Sequence, residues 1–342
     1  MSGAEQAEYA GYYTSLSAWE AALPASLVAV DEVRTAVCYN DWPSGLANVV
    51  QINGLTVDAT RYVKITVADG HRHDGAFGAG FYLTASISNY NIIDIRANYT
   101  ELDWLQFRNN FTGGGASSRS IYVSGISYCT YRNCISKNAS NVHGHGFMLP
   151  ASGVAINCLS LNEYIGFSVG TSATIYNCGV ANSSYRGYTS GSGTAVAKNS
   201  FAFNCGNNWA ASFSAANSSN NATSSGSDNA PGDSSVFGIT SAAFVDSDGG
   251  NYHLAAGSAL IGAGVNLYST FTTDIDGDER PSSGAWGIGF DHYVAGAPAT
   301  WSPKIWDGAA WTAKPAKRWD GAAWQPIASA KRWDGAAWQE MV

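Results

Sequence analysis

Short apolar runs alternate with Gly, Asn, Asp and Ser along most of this chain. Val49-Val50-Gln51-Ile52, Val63-Lys64-Ile65-Thr66-Val67, Phe81-Tyr82-Leu83 and Ile92-Ile93-Asp94-Ile95 are β-branched or aromatic runs of strand length, bounded by turn-forming residues. No long helical period falls between them, which argues against β-α-β units. Only residues 12–36 differ. There Leu16, Trp19, Leu23 and Leu27 recur every three to four residues, and Pro24 offsets the run. This pattern predicts a short helical cap within 1–47, covering the first open layer of the strand-rich region.

From about residue 48 the runs fall into step. An Asn-Cys pair recurs at Asn133-Cys134, Asn157-Cys158, Asn177-Cys178 and Asn204-Cys205, with intervals of 24, 20 and 27 residues. Asn109-Asn110 lies a further 24 residues upstream, and Phe107-Arg108 matches Tyr131-Arg132. A second track, Asn138, Asn162 and Asn182, follows each Cys by four residues. Gly146-Phe147, Gly166-Phe167 and Gly187-Tyr188 form a third. Self-similarity at such a period marks a solenoid. Three tracks in step predict three short strands and three turns per coil, an all-β parallel β-helix. Its coils stack at about 4.8 Å. Asn109, Asn133, Asn157, Asn177 and Asn204 would then form an amide ladder, with Cys134, Cys158, Cys178 and Cys205 as small buried hydrophobes beside it. Residues 214–235 are rich in Ser, Asn and Gly and read as a linker or an excursion from the solenoid.

Composition narrows the function classes. Of 342 residues, 45% are hydrophobic, which excludes disorder of the whole chain. Charged residues make up 13%, and the net charge is -8 without a basic face, so no nucleic-acid partner is expected. No apolar stretch is long enough for a membrane span. The first residues, Met1-Ser2-Gly3-Ala4-Glu5-Gln6-Ala7-Glu8, lack the basic start and apolar centre of a secretory signal, so folding in a cytoplasm is expected. The six Cys form no C-x-x-C pair, and their spacings fit no zinc module.

Candidate chemistry is sparse. Glycoside hydrolysis needs two carboxylates about 5 to 10 Å apart. Between residues 90 and 215 the carboxylates are Asp94, Glu101, Asp103 and Glu163, and none repeats one coil from another. They read as solvated or structural groups, so no catalytic residue is assigned. His143 and His145 would share a strand face and could bind a metal, but they read as turn residues; His71 with His73 could form a metal or catalytic loop, but reads as a polar coil corner. Asp274, Asp276 and Asp278 alternate around Gly277 like the start of a Ca²⁺ loop, without the later Glu of an EF-hand. The favoured reading is a structural turn in which Arg280 neutralises one carboxylate; structural Ca²⁺ is the alternative, and no other cofactor is implied.

A family resemblance rests on Asn251-Tyr252-His253-Leu254, Gly257-Ser258, Ile261-Gly262-Ala263-Gly264 and Asp274-Ile275-Asp276-Gly277-Asp278-Glu279-Arg280-Pro281. These segments resemble the closing coils of right-handed parallel β-helix proteins of the pectate-lyase-like superfamily, although the usual final Asp-Ile-Gly-Ala stands here as Ala285-Trp286-Gly287-Ile288-Gly289. The resemblance implies that handedness and a β-helix over 48–296. It does not fix an activity, because the superfamily includes lyases, hydrolases, adhesins and phage tailspikes. After residue 296 the hexapeptide Trp-Asp-Gly-Ala-Ala-Trp appears three times, at 306–311, 319–324 and 333–338. Asp-Gly is a tight-turn signal, so 297–342 reads as three hairpins. Trp306, Trp311, Trp319, Trp324, Trp333 and Trp338 are the candidate binding residues. Such tails resemble tryptophan repeats of phage virion proteins, and segments such as Trp19-Glu20-Ala21-Ala22 and Asp58-Ala59-Thr60-Arg61-Tyr62 resemble phage-encoded β-helix proteins.

The expectation is therefore a virion appendage (tail fibre, tailspike or capsid decoration) that attaches to a host surface or glycan. It would be assembled in the host cytoplasm and exposed outside the cell in use. Its partners would be other virion proteins, held through the tail or the cap, and further copies of itself, as a trimer for example. The alternatives are a polysaccharide lyase or hydrolase of β-helix type and a glycan-binding adhesin.

Overall fold

In the computed structural model, residues 12–85, 91–110, 118–139, 144–210, 212–226 and 230–294 are described, with the backbone of six tail strands between Lys304 and Met341. The chain divides into two units, Met1–Tyr293 and Val294–Val342. Two short helices, α1 (Leu16–Glu20) and α2 (Leu27–Val30), flank Pro24. The side chains of Ser15 and Ser26 cap them by accepting from the amides of Ala18 and Ala29. Leu16, Trp19 and Leu27 bury the apolar side of this segment.

The strands after α2 form three parallel sheets, of seven, nine and six strands, and each collects every third strand of the chain as far as Phe203, after which the second sheet adds the next two strands in sequence. This arrangement is compatible with a parallel β-helix. The first sheet starts at Arg34–Cys38 and ends at Val196–Lys198; the second runs from Leu46–Ala47 to Val236–Phe237; the third runs from Val50–Ile52 to Arg186–Ser190. Parallel pairing therefore spans Arg34 to Phe237, where 48–296 was expected. Strand alternation begins earlier, with Ala36 and Cys38 buried and their neighbours exposed.

In-register stacking builds the core. In the first sheet Ala36, Ile65, Leu102, Tyr131, Ala155, Ile175 and Ala197 pair one above another, and all are buried. In the third sheet Phe147, Phe167, Tyr188 and Trp209 stack ring on ring, with centroids 4.7, 5.2 and 4.2 Å apart. The glycine before each of the first three rings is required by close approach. A Cβ on Gly166 would stand 2.7 Å from the Gly187 carbonyl oxygen of the next coil.

Left-handed residues form the corners. Asn133, Asn157, Asn177, Asn199 and Asn220 have φ between 49° and 54°, as do Asn162, Asn182 and Asn204 at a second corner, with φ between 52° and 57°. This conformation costs most L-residues about 1–2 kcal/mol, and Asn tolerates it best after Gly. Register separates the two columns. Arg132 pairs with Ile156, Ile156 with Tyr176 and Tyr176 with Lys198, so Asn133, Asn157, Asn177 and Asn199 are successive levels. Thr130, Val154, Thr174 and Val196 pair in turn, giving coils of 24, 20 and 22 residues.

Asn204 and Asn109 consequently leave the ladder in which the sequence placed them. Ala181 pairs with Phe203 and Asn109 with Asn138, which puts both in the second column. Trp104 occupies the level below Asn133, also left-handed at φ 62°. The physical cause is that both corners make the same demand, a left-handed residue followed by a small inward side chain. Cys134, Cys158 and Cys178 supply it at the first corner, continued by Ser200, whose hydroxyl accepts from the Cys178 amide at 3.2 Å. Cys205 supplies it at the second, one level beyond Ser183. All six cysteines are thiols rather than disulfides. Burial pushes Cys38 and Cys129 up to about 12.

The described parts of 214–235 continue the second sheet rather than leave it. Ala222–Thr223 pairs with the strand at Phe201–Phe203, and Val236–Phe237 pairs with Ala222–Thr223. Small polar side chains fill the inward positions here by bonding to one another and to the main chain. Asn221 donates to the carbonyls of Ala197 and Pro231 and accepts from the Ser200 amide, all within 3.0 Å. A search for apolar runs misses such a segment. Beyond Phe237 parallel pairing stops. Phe244–Asp246 and Asn251–Leu254 form an antiparallel pair, so the segment that resembles closing coils builds something else.

Candidate functional sites on the two asparagine columns

Residues 255–293 run as a strap along the first asparagine column. Amide side chains hold it by reaching both their neighbours and the strap. Asn157 donates to Thr273 O at 2.8 Å and to Asn133 Oδ1 at 3.1 Å. Asn177 donates to Gly289 O at 2.7 Å. Asn199 donates to Val265 O at 2.7 Å and to Asn177 Oδ1 at 3.1 Å, and accepts from the Val265 amide at 2.8 Å. Asn220 donates to Ala263 O at 2.8 Å. The ladder is thus a fastening strip as well as a stack.

Arg280 anchors the strap; among the described residues it makes no close ion pair, but its charge acts on Asp274 at longer range and holds that carboxyl down against burial. Its guanidinium, 1% exposed, donates to the carbonyls of Phe290 at 2.6 Å and Gly289 at 3.3 Å, and lies 5.1 Å from the centre of the Trp286 ring. Burial lowers its pKa to about 10.

Asp274, Asp276 and Asp278 do not converge on a common point. Asp274 turns inward and accepts from the amides of Asp276, Asp278 and His292 at 2.9, 2.9 and 3.0 Å. Burial and the nearby Asp276 nevertheless push its carboxyl up to about 7. Asp276 instead joins His253 and Asp291, whose ligand atoms lie within 4.8 Å of one another. Both ring nitrogens of His253 face acceptors: Nδ1 meets Asn251 Oδ1 at 2.5 Å and Nε2 meets Asp276 Oδ2 at 2.9 Å. Only the imidazolium satisfies both. Burial opposes that charge, but Asp276, Asp291 and Asp274 outweigh it and raise the pKa to about 9. The cluster therefore carries its own cation. Ca²⁺, which takes six to eight oxygen ligands, fits this donor set poorly.

The other sequence candidates separate. His71 accepts from the Asn40 amide at 3.0 Å, whereas His73 is buried against Asn133 O at 2.6 Å, and burial lowers its pKa to about 4. Burial does the same to His145; His143 lies outside the described residues. Asp94 is paired with Arg96, while Glu101 and Asp103 share Lys64 at 3.8 Å each.

Glu163 is the group that sequence reasoning missed. It is fully buried, accepts from Ser136 Oγ at 2.6 Å and from Asn138 Nδ2 at 3.4 Å, and burial raises its pKa to about 7. The available signal was its place directly after a corner Asn, the inward position that Ser183 and Cys205 fill one and two levels on.

The tail strands form three antiparallel hairpins in which Trp306 pairs with Trp311, Trp319 with Trp324 and Trp333 with Trp338. The side chains of these six Trp lie outside the described residues. Among the described residues no helix is long and apolar enough to cross a membrane. No family model, curated protein or solved structure matches this chain.

Proposed function

We propose that this chain is a virion appendage protein of a phage, a tail fibre, tailspike or capsid decoration, which attaches to a host surface or glycan. The observation that carries this reading is the tail. Three copies of one hairpin, each with two Trp as register partners on either side of an Asp-Gly-Ala-Ala segment, form a unit separate from the parallel body. Single two-stranded hairpins are marginal in water, so repeated hairpins of this kind need a surface to pack on. Tryptophan suits that task, since it buries a large apolar face and keeps a polar edge wet.

The body supports the reading as a right-handed parallel β-helix. Its strands pair level by level and its corners are fastened by amides, which suits exposure outside a cell. Assembly in the host cytoplasm, contacts with other virion proteins through tail or cap, and trimerisation belong to the same proposal. Antibodies raised against residues 12–293 should decorate purified virions in negative-stain images. Unlabelled virions, with the chain found only in infected-cell lysate, would remove the appendage reading.

A further inference from the structure

The first asparagine column is covered by the strap, whereas the second opens on a groove of about 700 Å³. That size lies within the range of about 300–1,000 Å³ typical of small-ligand sites. Asn162, Asn182 and Asn204 line it at three successive coil levels, with Phe203, Tyr252 and Asp248 beside them. Coil stacking at about 4.8 Å spreads the three amides over about 10 Å.

The amides here are not spent as they are in the first column. Asn204 Nδ2 donates to Asn182 Oδ1 at 2.8 Å, and Asn182 Nδ2 turns away to Tyr252 Oη at 2.9 Å. The ladder stops there, and among the described residues Asn162 receives no side-chain bond from the level above. Asn162 thus offers a donor and an acceptor to the groove. Ser241 and Ser247 add hydroxyls, and Phe203 adds a half-buried ring.

Charge decides the class of ligand. Asp248 is exposed and, among the described residues, is the one carboxylate in the lining, which holds no Lys or Arg. A uronate, sialate or phosphate would meet a like charge with no cation to offset its desolvation. Sugar hydroxyls meet what they need: paired amide donors and acceptors, a carboxylate that accepts charge-assisted bonds, and an aromatic ring for the C–H face.

We infer that this groove binds a neutral hexose oligosaccharide and rejects acidic glycans. The site goes beyond tail-borne attachment: it stands on residues of the body, and the two can fail separately.

The test titrates the full-length chain with cellotetraose, maltotetraose, mannotetraose and tetragalacturonate, read by saturation-transfer NMR and calorimetry. At least one neutral tetraose binds and tetragalacturonate does not. Asn162→Gly, which keeps the positive φ, and Asp248→Ala each weaken the neutral ligand about tenfold, a loss of about 1.4 kcal/mol. The paired tail substitution Trp306→Ala with Trp311→Ala leaves it unchanged. Asp248→Lys admits tetragalacturonate. Thermal melts show that the groove variants remain folded. Preference of the native chain for tetragalacturonate, no binding of any neutral tetraose, or binding lost only with the Trp variants would each overturn the inference.

Discussion

Replacing Asn199 by Ala should destabilise the body by about 4 kcal/mol and release the strap. Three contributions add. The corner residue sits at φ 54°, which costs Ala about 1–2 kcal/mol. Asn177 Oδ1 and Val265 O lose their donor, and the Val265 amide loses its acceptor. A buried polar group left without a partner costs about 1–3 kcal/mol, less where water reaches it. Asn199→Gly isolates the backbone share, because glycine accepts the left-handed corner; it should recover about 1 kcal/mol of the loss. Urea melts give the stability change, and hydrogen exchange over 260–291 reports the strap. A loss below about 1 kcal/mol for Ala, or unchanged protection of the strap, would show that the amide column does not fasten it.

Glu163→Gln should act in the opposite direction, and only above mildly acidic pH. The folded chain holds the Glu163 proton up to about pH 7, against an ordinary value of 4.5. Between those values the folded state binds more protons than the unfolded one, so stability falls as pH rises and stays low above 7. A shift of this size corresponds to about 3 kcal/mol. The glutamine variant keeps the shape and an acceptor for Ser136, and has no proton to lose. It should match the native chain below pH 4.5 and exceed it by up to about 3 kcal/mol at pH 8. Asp274, pushed up to about 7 by burial, titrates in the same window and leaves a residual slope in the variant. The imidazolium of His253 contributes stability that is complete below about 6.5 and fades as pH rises through about 9, so comparisons are cleanest at or below pH 8. Parallel stability profiles for native and variant chains would show that Glu163 does not titrate in the core.

Much of the body was legible because a stacked coil repeats its demands. Each corner needs a residue that accepts positive φ, and the inward position beside it most often takes a small side chain, so Asn-Cys recurs. The same economy misled the reading of Asn109 and Asn204. Two corners with identical local demands produce one local signature, and only pairing tells them apart. The pairing of Ala222–Thr223 and Val236–Phe237 was hidden because Asn221 and its hydroxyl neighbour Ser200, rather than an apolar run, fill the inward positions beside it. The main role of Arg280 was hidden for a similar reason. Its loop carries carboxylates, but the guanidinium passes inward to main-chain carbonyls, a long-range choice with no local trace. Glu163 looked like a solvated carboxylate since nothing in its flanks marks it as inward, apart from the preceding corner Asn162. The strap and the groove both depend on which residues of 240–293 meet which coil, and sequence spacing does not carry that.

The tryptophan-hairpin tail is the element proposed to carry attachment. The most direct test of that role compares the full chain with a variant lacking 294–342 for retention on host cells. The account predicts an unchanged melt of the body and a loss of retention of at least about tenfold, as expected when one of two linked binding elements is removed. Equal retention by the two chains, with the body equally folded, would contradict it.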